Sequence, residues 1–291
     1  IMKKKIIIGS ANFNQNYGIN NNNISKKEIK KLINLAKKHG INTIDTAAAY
    51  KDSEKIIGSL KFKKLKIISK IPKIPFGLEK NKIKTWIYKI VQNSLKNLRI
   101  KKLNSILLHD EKVLLSENGE LVYEILKELK KENLTSKIGV SIYNFNELSE
   151  ILKKFEIDLA QAPFNIVNQS LINSGCMSKL KKNGVEIHVR SIFLQGVLLL
   201  KSSQLPNKLK KLKSTWNYWE SWQKQNKIKA LEACLSLIYK YPQIDGIVIG
   251  FNDVNQLTEI LKFKNKNLKL KIPKLNIKNQ NFVDPTKWSK L

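Results

Sequence analysis

Lys5-Ile6-Ile7-Ile8-Gly9-Ser10-Ala11-Asn12 is the stretch on which the fold class turns. Three isoleucines between a lysine and a glycine make an apolar run of strand length. An open, doubly wound sheet would follow its first strand with a glycine-rich phosphate turn of the form G-x-G-x-x-G. Here the turn is Gly9-Ser10-Ala11-Asn12, with a single glycine.

Beyond this turn, short apolar runs alternate with longer amphipathic ones. Ser25–His39 reads as a helix, with Ser25 as N-cap, Glu28 completing a capping box and Gly40 past its end. Strands are expected at Lys5–Gly9, Asn42–Asp45, Lys66–Ser69, Ser105–Leu108, Lys137–Ser141, Asp158–Ala162, Val185–Val189 and Gly246–Ile249. The intervening helices are Ser53–Leu60, Lys80–Leu98, Gly119–Glu132, Phe145–Lys154, Ser170–Lys182, Lys227–Tyr239 and Asp253–Phe263. Strands joined by helices run parallel. Eight such units predict an α/β fold of the (β/α)₈ TIM-barrel type, one domain over residues 1–291. That length suits a single barrel of roughly 250 residues with insertions. One long connection, residues 191–226, carries Trp216, Tyr218, Trp219 and Trp222, and reads equally as a hydrophobic plug or a lid. The tail, residues 271–291, with Pro273, Pro285 and Trp288, is expected to wrap over the barrel.

No apolar run reaches the ~18–20 residues that span a bilayer. The basic start Ile1-Met2-Lys3-Lys4-Lys5 is followed by too short an apolar stretch for a signal peptide. A cytoplasmic location is expected, with Cys176 and Cys234 as free thiols and no metal site. The net charge of +31 raises the question of nucleic acid. Yet the arginines are only Arg99 and Arg190, and base reading favours arginine's planar fork over lysine. The lysines accompany many asparagines and isoleucines, as AT-rich codon usage would produce, and lie along helices as solvated faces. No specific nucleic-acid partner is expected. Anionic substrates would be drawn in by the same charge.

Barrel enzymes carry their chemistry at the C-terminal ends of the strands. Asp45 ends the second strand and Tyr50 follows it; Lys70 ends the third; His109 ends the fourth. These four make a workable acid catalyst. A free phenol has a pKa of about 10, a neighbouring ammonium lowers it, a carboxylate holds that ammonium in place, and a rim histidine donates to a carbonyl oxygen. His39, near a helix end, and His188, inside a strand, read as structural.

At this point the sequence resembles the aldo-keto reductase family over nearly its whole length. The resemblance rests on Ile44-Asp45-Thr46-Ala47…Tyr50, Ser53-Glu54…Ile57-Gly58, Ser69-Lys70, Leu107-Leu108-His109, Gly139-Val140-Ser141, Gln161-Ala162-Pro163-Phe164-Asn165, Gln195-Gly196-Val197-Leu198 and the Gly250 turn, in that order and spacing. It implies a nicotinamide cofactor across the barrel mouth and hydride transfer at the carbonyl or alcohol carbon of an aldehyde, ketone or sugar. It implies Asp45, Tyr50, Lys70 and His109 as catalytic residues. Ser141 and Gln161 would hold the carboxamide, Ser191 and Gly196 would lie near the pyrophosphate, and the turn through Gly250, Asn252 and Asp253 would face the adenosine end. The family often has asparagine where this chain has Ile142. It often has an aromatic residue where this chain has Arg190, whose guanidinium could stack on the nicotinamide instead. The turn after Gly250 lacks the cation that usually meets the 2′-phosphate of NADPH. The family's habit leans to NADPH (NADP), and NADH (NAD) stays open. The start Gly9…Tyr17-Gly18 and the ending Asp284-Pro285-Thr286-Lys287-Trp288 look like bacterial members linked to carbohydrate metabolism. The rival readings are a cofactor-binding regulatory or accessory protein of the same fold and, more remotely, a charge-driven nucleic-acid binder. A monomer or small homo-oligomer is expected.

Overall fold

A computed structural model describes residues 5–13, 24–263, 270–273, 275, 277 and 280–290. Ile1–Lys4 and the Tyr17-Gly18 pair lie outside these residues. Strands β1 (Lys5–Gly9), β2 (Thr43–Asp45), β3 (Lys66–Ile71), β4 (Leu103–Leu108), β5 (Thr135–Ser141), β6 (Leu159–Pro163), β7 (Glu186–Arg190) and β8 (Gly246–Gly250) form a closed parallel barrel. Each strand pairs with its sequence neighbour, and β8 returns to β1 with Gly9 opposite Gly250. The helices are α1 (Lys26–Lys38), α2 (Ser53–Ser59), α3 (Lys80–Leu98), α4 (Gly119–Lys131), α5 (Phe145–Lys154), α6 (Ser170–Asn173), α7 (Cys176–Lys182), α8 (Lys213–Gln225), α9 (Ala230–Tyr239) and α10 (Val254–Leu261). The expected (β/α)₈ barrel is therefore the observed one. No helix among the described residues is long and apolar enough to cross a membrane.

Three local expectations differ from the structure. Ser170–Lys182 is two short helices, because Gly175 takes a φ of +73° and restarts the chain direction. The helix before β8 begins at Ala230, since Lys227 adopts φ +49°. Glu28 does not close a capping box. Ser25 Oγ accepts from the Glu28 N–H at 3.2 Å, but the Glu28 carboxylate accepts from the Val254 N–H at 3.3 Å, tying α1 to the start of α10.

Two apolar layers divide the core. The large one lies between the strands and the surrounding helices. The small one fills the barrel interior with Ile7, Ile68, Leu107 and Leu159, against Val248. Alternation along a strand points residues i and i+2 the same way. The residues two positions on from this plug are therefore Gly9, Lys70, His109, Gln161 and Gly250, all at the C-terminal mouth. The same parity carries Gly139 to Ser141 and His188 to Arg190. Interior glycines make room for the plug. A Cβ on Gly139 would sit 1.8 Å from the Leu159 carbonyl oxygen, and one on Gly246 would sit 2.5 Å from the His188 ring. His188 is buried there, its Nε2 2.9 Å from a Glu186 carboxylate oxygen, which accords with a structural role.

Gly139→Ala is expected to destabilise the barrel by about 1–3 kcal/mol or more, the cost of overpacking against fixed backbone. Urea unfolding would measure it, and an unchanged midpoint would contradict the interior assignment.

Candidate active site

Asp45 sits at the end of β2 with its side chain almost wholly buried. Both its oxygens are engaged: Lys70 Nζ donates to Oδ1 at 2.5 Å, and Gln161 Nε2 donates to Oδ2 at 2.7 Å. Lys70 Nζ also donates to the Thr46 carbonyl at 2.9 Å. Strands β2, β3 and β6 thus meet in one buried polar cluster. Lys70 is 1% exposed, and burial pulls its pKa below the ordinary lysine value, against the Asp45 carboxylate that raises it.

Tyr50 stands over this pair. The turn after β2 closes with Tyr50 N–H donating to Ala47 O and Ser53 N–H donating to Tyr50 O. Its ring centroid lies 5.4 Å from Lys70 Nζ and 5.9 Å from the His109 ring, which it meets edge-on at 76°. His109 has its pKa lowered to about 4, first by burial and then by the charges of Lys70 and Arg190. Its imidazole is therefore neutral at pH 7 and can donate to an oxygen only as the neutral tautomer.

Ser53 and Glu54 have a different task from the tetrad. Ser53 Oγ donates to Ser10 Oγ at 2.7 Å and lies 3.2 Å from Thr46 Oγ1, linking the ends of β1 and β2 to α2. The buried Glu54 carboxylate accepts from Ser69 Oγ at 2.7 Å, beside Lys70 in sequence.

A cavity of about 820 Å³ opens above the cluster. Asp45, Tyr50, His109, Ser141, Gln161, Arg190, Ser191, Gly196, Gly250 and Asn252 all line it. Lys70 does not, because it lies beneath Asp45 and Tyr50. Asp253 does not line it either: its carboxylate caps α10, accepting from the Gln256 N–H at 2.9 Å. The described tail residues Val283, Asp284, Pro285 and Lys287 form part of the wall.

The residues present fit a nicotinamide dinucleotide. Ser141 Oγ is buried beside the cavity with no hydrogen-bond partner, and a carboxamide would satisfy it. Gly9 and Gly250 line the same cavity side by side, and a Cβ on Gly9 would crowd the Gly250 backbone N at 3.3 Å. Gln161 has its amide nitrogen committed to Asp45, which leaves its carbonyl oxygen for a ligand.

The segment from Ser191 to Gly196 is strained. Ser191, Leu194 and Gln195 have φ of 58°, 49° and 53°, in the left-handed region that costs most side chains free energy. Such strain persists where the surroundings overdetermine it, and α8 does so. Trp216 and Trp219 are fully buried and donate their indole N–H groups to the Val197 and Leu198 carbonyls at 3.1 and 3.0 Å. Trp222 stacks on Trp219 at 5.3 Å. The aromatic cluster is thus a plug beneath the loop. Sequence reasoning located the tryptophans but had no signal for a helix there, because lysines and polar residues mask its period. It also missed Glu111, which is buried and accepts the Tyr143 and Asn144 N–H groups at 2.7 and 2.8 Å.

Comparison with known proteins agrees with this architecture. The model of the aldo/keto reductase family matches residues 5–272. No curated protein matches the sequence. Among solved structures, an aldo-keto reductase from Bacillus halodurans in its holo form is 18% identical, with a TM-score of 0.68 over 96% of this chain and 90% of that one. The glycerol dehydrogenase from Gluconobacter oxydans is 17% identical, with a TM-score of 0.67 over 88% of this chain and 84% of that one. At this identity the two structural likenesses speak for the fold alone.

His109 is expected to titrate near pH 4 in the folded protein, followed by its imidazole NMR resonances. Since the folded pKa lies below the unfolded value, the unfolded chain binds the extra proton between about pH 6.5 and 4. Stability is lost as pH falls through that window, and His109→Asn should flatten the loss. A His109 that titrates near 6.5 would contradict the burial argument.

Proposed function

The chain belongs to the aldo/keto reductase family, which implies NAD(P)-dependent oxidoreduction in general, and on that footing we propose that it interconverts an aldehyde, ketone or sugar carbonyl with the alcohol, with Tyr50 as proton donor and acceptor. The observation that carries this reading is the packing of the Tyr50 ring against both Lys70 Nζ and His109, above a buried carboxylate.

A bound nicotinamide would supply or accept the hydride. Ser141 and the Gln161 carbonyl would hold its carboxamide, Ser191 and Gly196 would lie near the pyrophosphate, and the turn through Gly250 and Asn252 would receive the adenosine end. Asp253 acts there through the helix start that it caps. NADPH is the proposed donor on the family's habit, with NADH as the alternative that a titration decides.

The protein's own groups handle the proton. Tyr50 gives its hydroxyl proton to the carbonyl oxygen in reduction and takes it back in oxidation. The Lys70 ammonium favours the phenolate left behind. Asp45 and the Thr46 carbonyl orient Lys70, and Gln161 orients Asp45. Neutral His109 donates a hydrogen bond to the same oxygen and so fixes the carbonyl face.

Tyr50→Phe is expected to lower kcat for carbonyl reduction by on the order of 10²–10⁴, the usual worth of general acid catalysis. NADPH should still quench tryptophan fluorescence in this variant. A Tyr50→Phe protein as active as wild type would overturn the assignment of the acid. Tight cofactor binding with no turnover by wild type on a panel of aldehydes and sugars would favour a regulatory protein instead.

A further inference from the structure

We propose that Arg190 anchors an oxyanion on the substrate, so that the carbonyl compounds taken by this cavity are acidic ones. The proposal rests on the reductase reading and names its substrate class.

Arg190 ends β7 on the inward side and lines the cavity. Its guanidinium carbon lies 4.4 Å from the centroid of the Tyr143 ring, and Nη2 donates to the Ile142 carbonyl at 3.1 Å. Tyr143 is held in turn. Its N–H, with that of Asn144, is gripped by the Glu111 carboxylate, which stands two residues beyond His109. The guanidinium is therefore fixed on one face by a ring and at one nitrogen by a carbonyl, on scaffolding tied to the loop that carries His109. It is close enough to Lys70 and His109 to disfavour the charged form of each.

Among the described residues, what Arg190 lacks is a counter-charge. No carboxylate among the described residues forms an ion pair with it, and its Nε is buried without a hydrogen-bond partner. Of the acids on the cavity wall, Asp45 is committed to Lys70 and Gln161, and Asp284 lies 3.8 Å from Lys287, the other described cation on that wall. Glu259, on α10, is not paired with Arg190 either. A partly enclosed cation without a counter-charge costs free energy, which a bound anion would offset. An arginine fork suits planar or tetrahedral oxyanions through paired, charge-assisted hydrogen bonds. The net charge of +31 adds a field that draws anions toward the mouth. Arg190 also adjoins Ser191, so a purely cofactor-directed role is the competing outcome.

The test uses chain-matched carbonyl pairs: butanal against succinic semialdehyde, and glyceraldehyde against glyceraldehyde 3-phosphate. Affinity is measured by calorimetry on the protein holding oxidised cofactor, and turnover by consumption of NADPH or NADH. Wild type is expected to bind the anionic member of at least one pair about tenfold tighter or better, the worth of one charge-assisted hydrogen bond. The two pairs separate carboxylate from phosphate. The preference should shrink to within about twofold in Arg190→Gln and fall part of the way in Tyr143→Leu, which removes the supporting ring and leaves the charge. Equal affinities in wild type, or a preference that survives Arg190→Gln, would overturn the proposal. So would an Arg190→Gln protein that loses cofactor affinity alone. If wild type prefers the anion in binding yet reduces none of the four, the oxyanion site stands and the reductase reading falls.

Discussion

The interaction on which the site depends is the buried ion pair between Lys70 and Asp45. Both side chains are almost wholly buried, so the pair survives by satisfying the polar atoms it buries. Asp45 does this with Lys70 and Gln161, and Lys70 does it with Asp45 and the Thr46 carbonyl. Such pairs are poor stabilisers, because desolvation consumes most of the Coulombic gain, and removing one partner costs about 3–5 kcal/mol by stranding the other. A well-packed apolar pair could serve stability as well. The charge is intelligible as a device that holds a buried ammonium at a set distance from Tyr50, where water screens it less than at the surface.

The barrel positions this device with one rule. Side chains alternate along each strand, so a residue that fills the closed interior is followed two positions later by one at the mouth. Ile68 leads to Lys70, Leu107 to His109, Leu159 to Gln161 and His188 to Arg190. The apolar plug seals the floor, and the next layer is a polar one that opens into the cavity. Where plug side chains from neighbouring strands collide, the chain has glycine, as at Gly139 and Gly246. Fold and site are thus consecutive layers of one packing pattern. The loop after β7 is the complement: its strained residues are held by two indole N–H groups from a helix inserted after them.

The barrel, and the meeting of Asp45, Tyr50, Lys70 and His109 at its mouth, were legible because they rest on local period and on position at strand ends. Eight apolar runs, six of them carrying a polar residue of useful chemistry at or beside the C-terminal end, survive any uncertainty of one or two residues at the boundaries. The features that escaped depend on contacts remote in sequence. Nothing near Glu28 reveals that its carboxylate serves Val254. Nothing near Arg190 reveals that its flat face meets Tyr143, and an isolated reading of Arg190 offered only a stack on the cofactor. Asp253 read as a carboxylate facing the adenosine end, and its further use as the cap of α10 was not legible. Gly175 falls inside the expected Ser170–Lys182 helix, and its left-handed backbone divides that stretch in two.

The central claim is that Lys70 acts on catalysis through Tyr50, and a double-mutant cycle in kcat tests it most directly. Tyr50→Phe, Lys70→Met and the double variant would be compared at a temperature where circular dichroism shows all three folded. Residues that act as one unit are strongly non-additive. The account predicts that Lys70→Met slows the wild type severely but slows Tyr50→Phe by no more than a few-fold, since the lysine has no phenol left to serve. Losses that multiply in the double variant would contradict it, and would mean that the buried pair and the tyrosine work independently.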